Sequence, residues 1–134
     1  PCIGADTGLI SFQNGVQKDD MLRPIVGDHA LVGGTSYVSA AITAPGVITQ
    51  TGSMQGLAFG EFDGRQSKRA EDFHRACLAG GIQAEISADI NLVIWRKFVV
   101  LASVAGATTS MRAPIGAIRD NPLTRQFLLD LMKE

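Results

Sequence analysis

Lys97 has the clearest chemical use of any side chain in this sequence of 134 residues. It stands in Trp95-Arg96-Lys97-Phe98, which runs on into Val99-Val100-Leu101-Ala102-Ser103-Val104-Ala105-Gly106. No proline follows until Pro114, and no charge occurs from Phe98 through Met111, so the stretch has helical length. On a 3.6-residue period, Val93, Ile94, Val100, Leu101 and Val104 all lie a turn or so from Lys97. The ammonium therefore sits at the head of an apolar helix, at the edge of whatever that helix buries. Lysine is rarely buried without a partner. Lys97 is then either a snorkelling surface residue, as the solvated look of Arg96 suggests, or a group that handles protons.

Asn14 is the second residue with a chemical use. The spacing of Leu9, Ile10 and Phe12 predicts a short buried strand from Gly8 to Gln13, which ends in Asn14-Gly15. Met21, Leu22 and Ile25 then predict a helix from Gln17 to Val26. That places Asn14 at the carboxyl end of a strand in a βα unit, the edge where open α/β sheets bind ligands. Its amide offers a donor and an acceptor to a ribose or a carboxylate. The competing reading is a plain Asn-Gly turn.

Other polar residues carry less. Ser39 is, by itself, a strand serine. His29 and His74 have no acidic or cysteine partner at ligand spacing, and Cys2 and Cys77 fit no ligand pattern. Gly33-Gly34 opens no helix and is not a phosphate loop, and the GxGxxG dinucleotide fingerprint is absent.

The elements around these residues change character along the chain. After the βα unit come three β-rich runs, Ala30 to Ile42, Val47 to Thr51 and Leu57 to Phe62. Pro45-Gly46 and a turn from Gly52 to Gly56 separate them as in a meander. A helix is expected from Arg65 to Leu78, with Phe73, Ala76 and Cys77 inward and Gly80-Gly81 as its stop. Ile82 to Ile86 alternates like a last strand. From Ala88 onward the pattern is helical only, so the domain boundary is expected near Ser87-Ala88. A final helix starts at Asn121 as N-cap and Pro122 as first residue, with Leu123, Phe127, Leu128, Leu131 and Met132 as one apolar stripe. The chain opens on Pro1 and closes at Glu134 inside that helix, which lacks a C-terminal cap. The expectation is an internal piece of a longer protein, inactive by itself.

Composition bounds the function. Hydrophobic residues make up 46% of the chain and the formal net charge is −1, with both signs scattered. The mean hydropathy is +0.15. These values fit a folded core and give no electrostatic footprint for nucleic acid or an acidic membrane. The uncharged run from Phe98 to Met111 is too short to span a bilayer, and no signal peptide is visible. The sparse cysteines point to a reduced, cytoplasmic setting.

In combination, these residues resemble the ketopantoate reductase (2-dehydropantoate 2-reductase) family. The resemblance rests on Gln13-Asn14-Gly15 ending a strand, on the pattern D-I-x-x-x-x-W-x-K-F from Asp89 to Phe98, and on Arg112-Ala113-Pro114-Ile115-Gly116. The meander from Gly33 to Glu61 adds to it. The resemblance implies an α/β fold: residues 1–87 as the C-terminal portion of a Rossmann-type NADP-binding domain, and residues 88–134 as the start of an all-helical domain. It implies NADPH-dependent reduction of 2-dehydropantoate to pantoate, for pantothenate and coenzyme A biosynthesis. Lys97 matches the proton donor to the 2-oxo group, and Asn14 matches the asparagine beside cofactor ribose and substrate. Ser39 matches a meander residue lining the dinucleotide. The expected partners are a small-molecule 2-oxo acid and a second copy of the chain in a homodimer.

The departures concern the substrate. Family members that reduce ketopantoate usually carry asparagines one and two turns after the lysine, and another beyond the helix. Leu101, Ala105 and Ile115 stand at those positions here. A pocket without its amides loses contacts of roughly 1–3 kcal/mol each, which points to a more apolar 2-oxo acid. Two other readings stay open: a lysine-dependent hydroxy-acid dehydrogenase using NAD, and a non-enzymatic helical dimerisation or binding module with Lys97 as a rim charge.

Overall fold

The computed structural model describes residues 3–134. Cys2 lies outside the described residues, and with it the comparison of the two cysteines. The elements run β1 (Leu9–Ile10), α1 (Lys18–Val26), β2 (Leu31–Ala44), β3 (Val47–Gly60), α2 (Lys68–Ala79), β4 (Ala84–Ile86), α3 (Ile90–Met111), α4 (Ile115–Asp120) and α5 (Pro122–Leu131). They group into two compact units that meet in the chain between Ile94 and Trp95.

The first unit is a four-stranded sheet in the order β1-β2-β3-β4. β1 and β2 are parallel, with Leu9 opposite Leu31, and β3 and β4 are parallel, with Leu57 opposite Ala84. β2 and β3 form the antiparallel centre. This mixed α/β sheet is the fold class expected from the sequence. Its core holds Ala30, Leu31, Val32, Ala58, Phe59, Ala70, Cys77 and Ile90. Phe73 of α2 packs on Phe59 with ring centroids 4.9 Å apart.

Several expected boundaries shift. Only Leu9 and Ile10 of the predicted Gly8–Gln13 strand pair with β2. The predicted strands Val47–Thr51 and Leu57–Phe62 are one strand, because Gly52 to Gly56 is not a turn. Val38 faces Gln55 while Ala40 faces Gln50, so the extra β3 residues bulge out within the ladder. Gly52 accommodates this with φ +74°. The other connection, Pro45-Gly46, is the tight hairpin turn expected, with Gly46 at φ +76°. α2 begins three residues later than expected, where the Ser67 hydroxyl caps the Ala70 amide at 3.3 Å. Ala76, expected inward, is exposed, as are Met21 and Ile25 of α1.

The second unit is helical. Ala107 of α3, Ile118 of α4 and Leu128 of α5 form its core, with Val104, Met111, Ile115, Leu131 and Met132 against them. Asn121 accepts the Leu123 amide at 2.9 Å and Pro122 opens α5, as the sequence predicts. Leu123 and Phe127 of the expected apolar stripe are exposed. α3 ends where Arg112 turns to the left-handed φ of 48°. The helix has 22 residues, longer than the uncharged run suggested. By length and composition alone it could cross a membrane, since such a span tolerates the two charges of Arg96 and Lys97.

Candidate functional site

Asn14 lies at the carboxyl edge of the parallel pair, between the end of β1 and the start of α1. β1 lies beside β2 in the sheet, and the glycines of β2 leave room for the side chains around it. A Cβ on Gly34 would collide with the Ile10 side chain and stand 3.0 Å from Phe12. A Cβ on Gly33 would stand 2.7 Å from Ile90. The glycine pair is thus a packing device of the sheet, in keeping with its rejection as a phosphate loop. Asn14 is exposed. Gly15 beside it has φ +102°, and a Cβ there would meet nothing within 4 Å, so the backbone faces open space. Asn-Gly makes the bend at the carboxyl edge of the parallel pair.

Ser39 occupies the exposed outer half of the β2–β3 ribbon. Its hydroxyl meets that of Thr51 across the ribbon at 2.8 Å, opposite the bulge. His74 bonds the Ala84 carbonyl oxygen at 2.9 Å through Nε2 and lies edge-on to Phe59, which makes it a tie between α2 and β4. His29 is exposed, and its carbonyl oxygen accepts from Arg69.

Lys97 lies two turns inside α3 and is half-buried, whereas Arg96 is exposed. The helix start is well built. The Asp89 carboxylate caps the Leu92 amide at 3.0 Å, and the Ser87 hydroxyl accepts the Asp89 amide at 3.1 Å. The Ser87 amide in turn donates to the Phe59 carbonyl at 2.8 Å. Gly60 has no room for a Cβ because the Ser87 carbonyl crosses it. Phe98 stacks edge-on against Trp95, centroids 5.8 Å apart. Leu101 and Ala105 are exposed one and two turns beyond Lys97, while Ile115 belongs to the core of the helical unit. Asn14 and Lys97 fall in separate units.

Sequence reasoning missed the principal polar network of the first unit. Arg69 holds Glu61 through Nε and Nη2, each at 2.7 Å, and its Nη1 donates to the carbonyl oxygens of Thr7 and His29. The Ser67 hydroxyl donates to Glu61 at 2.5 Å. The Arg69 hydrogen bonds hold the Glu61 carboxyl below the usual glutamate range, against the opposing effect of burial. A cavity of about 650 Å³ adjoins this network, lined by Asp6, His29, Arg65 and Lys68 among others. It lies by the amino ends of β1 and β2, the end opposite Asn14, and so away from the edge where such sheets bind cofactors. Lys18 and Asp19 were also missed. They form a buried ion pair of 2.6 Å in the first turn of α1. No signal in the sequence marks either pair, because the members are eight residues apart or adjacent and look like ordinary surface charges.

Comparison with known proteins settles the family. The model described as ketopantoate reductase PanE/ApbA matches residues 1–64, and the one for its C-terminal part matches residues 89–134. The chain belongs to the ketopantoate reductase family. The 2-dehydropantoate 2-reductase of Archaeoglobus fulgidus is 32% identical over 87% of this chain and 39% of its own length. The crystal structure of 2-dehydropantoate 2-reductase from Porphyromonas gingivalis superposes with a TM-score of 0.87 at 30% identity, over 98% of this chain and 45% of that one. D-mandelate dehydrogenase in complex with NADH shares the fold, with a TM-score of 0.81 at 19% identity over 92% of this chain and 41% of that one. The chain spans about two fifths of the length of the curated relatives it matches. Ketopantoate reductases are NAD(P)-dependent oxidoreductases.

Proposed function

We propose that the protein containing this chain reduces a 2-oxo acid with NADPH, with Lys97 as the proton donor. In this reading residues 1–87 belong to the cofactor-binding domain and residues 88–134 to a helical substrate domain. The observation that carries it is Lys97 itself: a half-buried lysine two turns into α3, with no further charge before Arg112. The bound cofactor supplies hydride to the carbonyl carbon, which moves negative charge to the oxygen. The Lys97 ammonium stabilises that oxygen and delivers its proton to it. Lysine suits the step because it is charged at neutral pH and loses its proton more readily where water is scarce.

The residues at the Asn14 edge fit a cofactor ribose. Asn14 supplies a donor and an acceptor, and the open backbone at Gly15 lets a ligand approach. Ser39, paired with Thr51, lines the dinucleotide farther along the ribbon. The phosphate-binding fingerprint is not among these residues, so the 134-residue chain holds only the ribose side of the site.

The test is NADPH oxidation by the complete protein in the presence of 2-oxo acids. Turnover that depends on both reactants supports the reading, and none with any 2-oxo acid overturns it. The likeness to D-mandelate dehydrogenase with NADH gives a second reading, an NAD-dependent hydroxy-acid dehydrogenase. A lower KM for NADH than for NADPH would favour it.

A further inference from the structure

We infer that the substrate of this site is a 2-oxo acid with an apolar, unhydroxylated side chain, seated along Leu101 and Ala105. The inference rests on the reductase reading above and narrows its substrate class.

The observations concern one face of α3. Positions three, four, seven and eight residues beyond Lys97 are those nearest to it on successive turns. They are Val100, Leu101, Val104 and Ala105, none with a polar side-chain atom. Phe98 adjoins the same face, with its ring fixed edge-on to Trp95. The next turn brings Thr108, but its hydroxyl donates to the Val104 carbonyl at 2.8 Å. Ser110 does likewise to Gly106 at 2.7 Å. Both hydroxyls are therefore turned into the helix's own backbone.

Ile115, which the sequence placed with Leu101 and Ala105, is instead packed against the Ala107–Ile118–Leu128 core. Leu101 remains 38% exposed, and Ala105 is exposed. Helical side chains lean toward the N-terminus, so the Leu101 side chain covers the turn that bears Lys97. A substrate whose carbonyl oxygen meets the Lys97 ammonium thus finds aliphatic surface beside its tail. A tail hydroxyl placed there would lose its water and gain no partner on this helix, whereas a methyl group would lose nothing.

The experiment uses the complete protein and two substrates of one shape: ketopantoate and its deoxy analogue, trimethylpyruvate. The expected result is a kcat/KM about 10- to 100-fold higher for the deoxy compound, the range over which apolar pockets reject an added hydroxyl. Leu101→Asn and, separately, Ala105→Asn should each move that ratio toward ketopantoate by about tenfold. The wild-type ratio stands even if one variant fails to fold. A wild-type preference for ketopantoate overturns the inference while leaving the reductase reading intact. A deoxy preference that neither variant moves overturns the assignment to this face. Turnover of neither compound, nor of any other 2-oxo acid, removes the reductase reading and the inference with it.

Discussion

Arg69 grips Glu61 through two hydrogen bonds of 2.7 Å, and the same guanidinium reaches the backbone carbonyls of Thr7 and His29 just before β1 and β2. One side chain of α2 thereby ties together the entries of both parallel strands. Glu61 is buried, and its pKa is lowered below 4.5 chiefly by the Arg69 hydrogen bonds. A depressed carboxyl pKa stabilises the fold above the unfolded-state value, and that contribution fades as pH falls through the lower folded value. Glu61→Gln should therefore cost about 2 kcal/mol at neutral pH, with the deficit shrinking below about pH 4.5. Urea midpoints of both proteins across that range check it; a deficit constant with pH contradicts it.

Gly34 of β2 makes room for the Ile10 and Phe12 side chains. Gly34→Ala places a methyl group against Ile10 and Phe12, so unfolding should become easier by about 1–3 kcal/mol. Gly116→Ala, in open space on α4, should be neutral or slightly stabilising. Thermal melting of the pair gives the comparison, and equal effects would mean that the strands part to accept the methyl.

The N-cap of α5 gives a smaller effect. Asn121→Ala removes the acceptor of the Leu123 amide and should cost about 1 kcal/mol, with Asn121→Asp near wild type. Chemical denaturation resolves a change of that size.

What the sequence made legible follows the reach of the forces involved. The Asn121-Pro122 start, the Pro45-Gly46 turn and the βα unit are local events set by a few adjacent residues, and each stands as expected. The break at Gly52 to Gly56 was misread because glycine marks a bulge as readily as a turn, and only the cross-strand register tells them apart. Periodicity gave the apolar spacing of α1 and the stripe of α5 but not what covers them: Met21, Ile25, Leu123 and Phe127 are exposed. The Arg69–Glu61 network joins groups far apart in the chain, so no spacing could reveal it. Gly60 at the end of β3 is of the same kind: it is required because the Ser87 carbonyl passes over it.

Asn14 tests the cofactor edge. Asn14→Ala should raise the KM for NADPH about tenfold, through loss of one donor–acceptor group, and should leave thermal stability nearly unchanged because the residue is exposed. A loss of stability with an unchanged KM would reduce Asn14 to a turn residue.

Lys97 bears the central claim, and turnover of the Lys97→Arg protein with NADPH and a saturating 2-oxo acid tests it most directly. Proton donation predicts that Lys97→Arg is as poor as Lys97→Ala, both down by roughly 10² to 10⁴-fold with NADPH affinity nearly intact. Arginine keeps the charge but does not release its proton near neutral pH. Arg96→Ala, at an exposed position on the same turn, should cost little. Near-wild-type turnover by Lys97→Arg, or a greater loss from Arg96→Ala, would contradict the proton-donor role and leave Lys97 a placed charge.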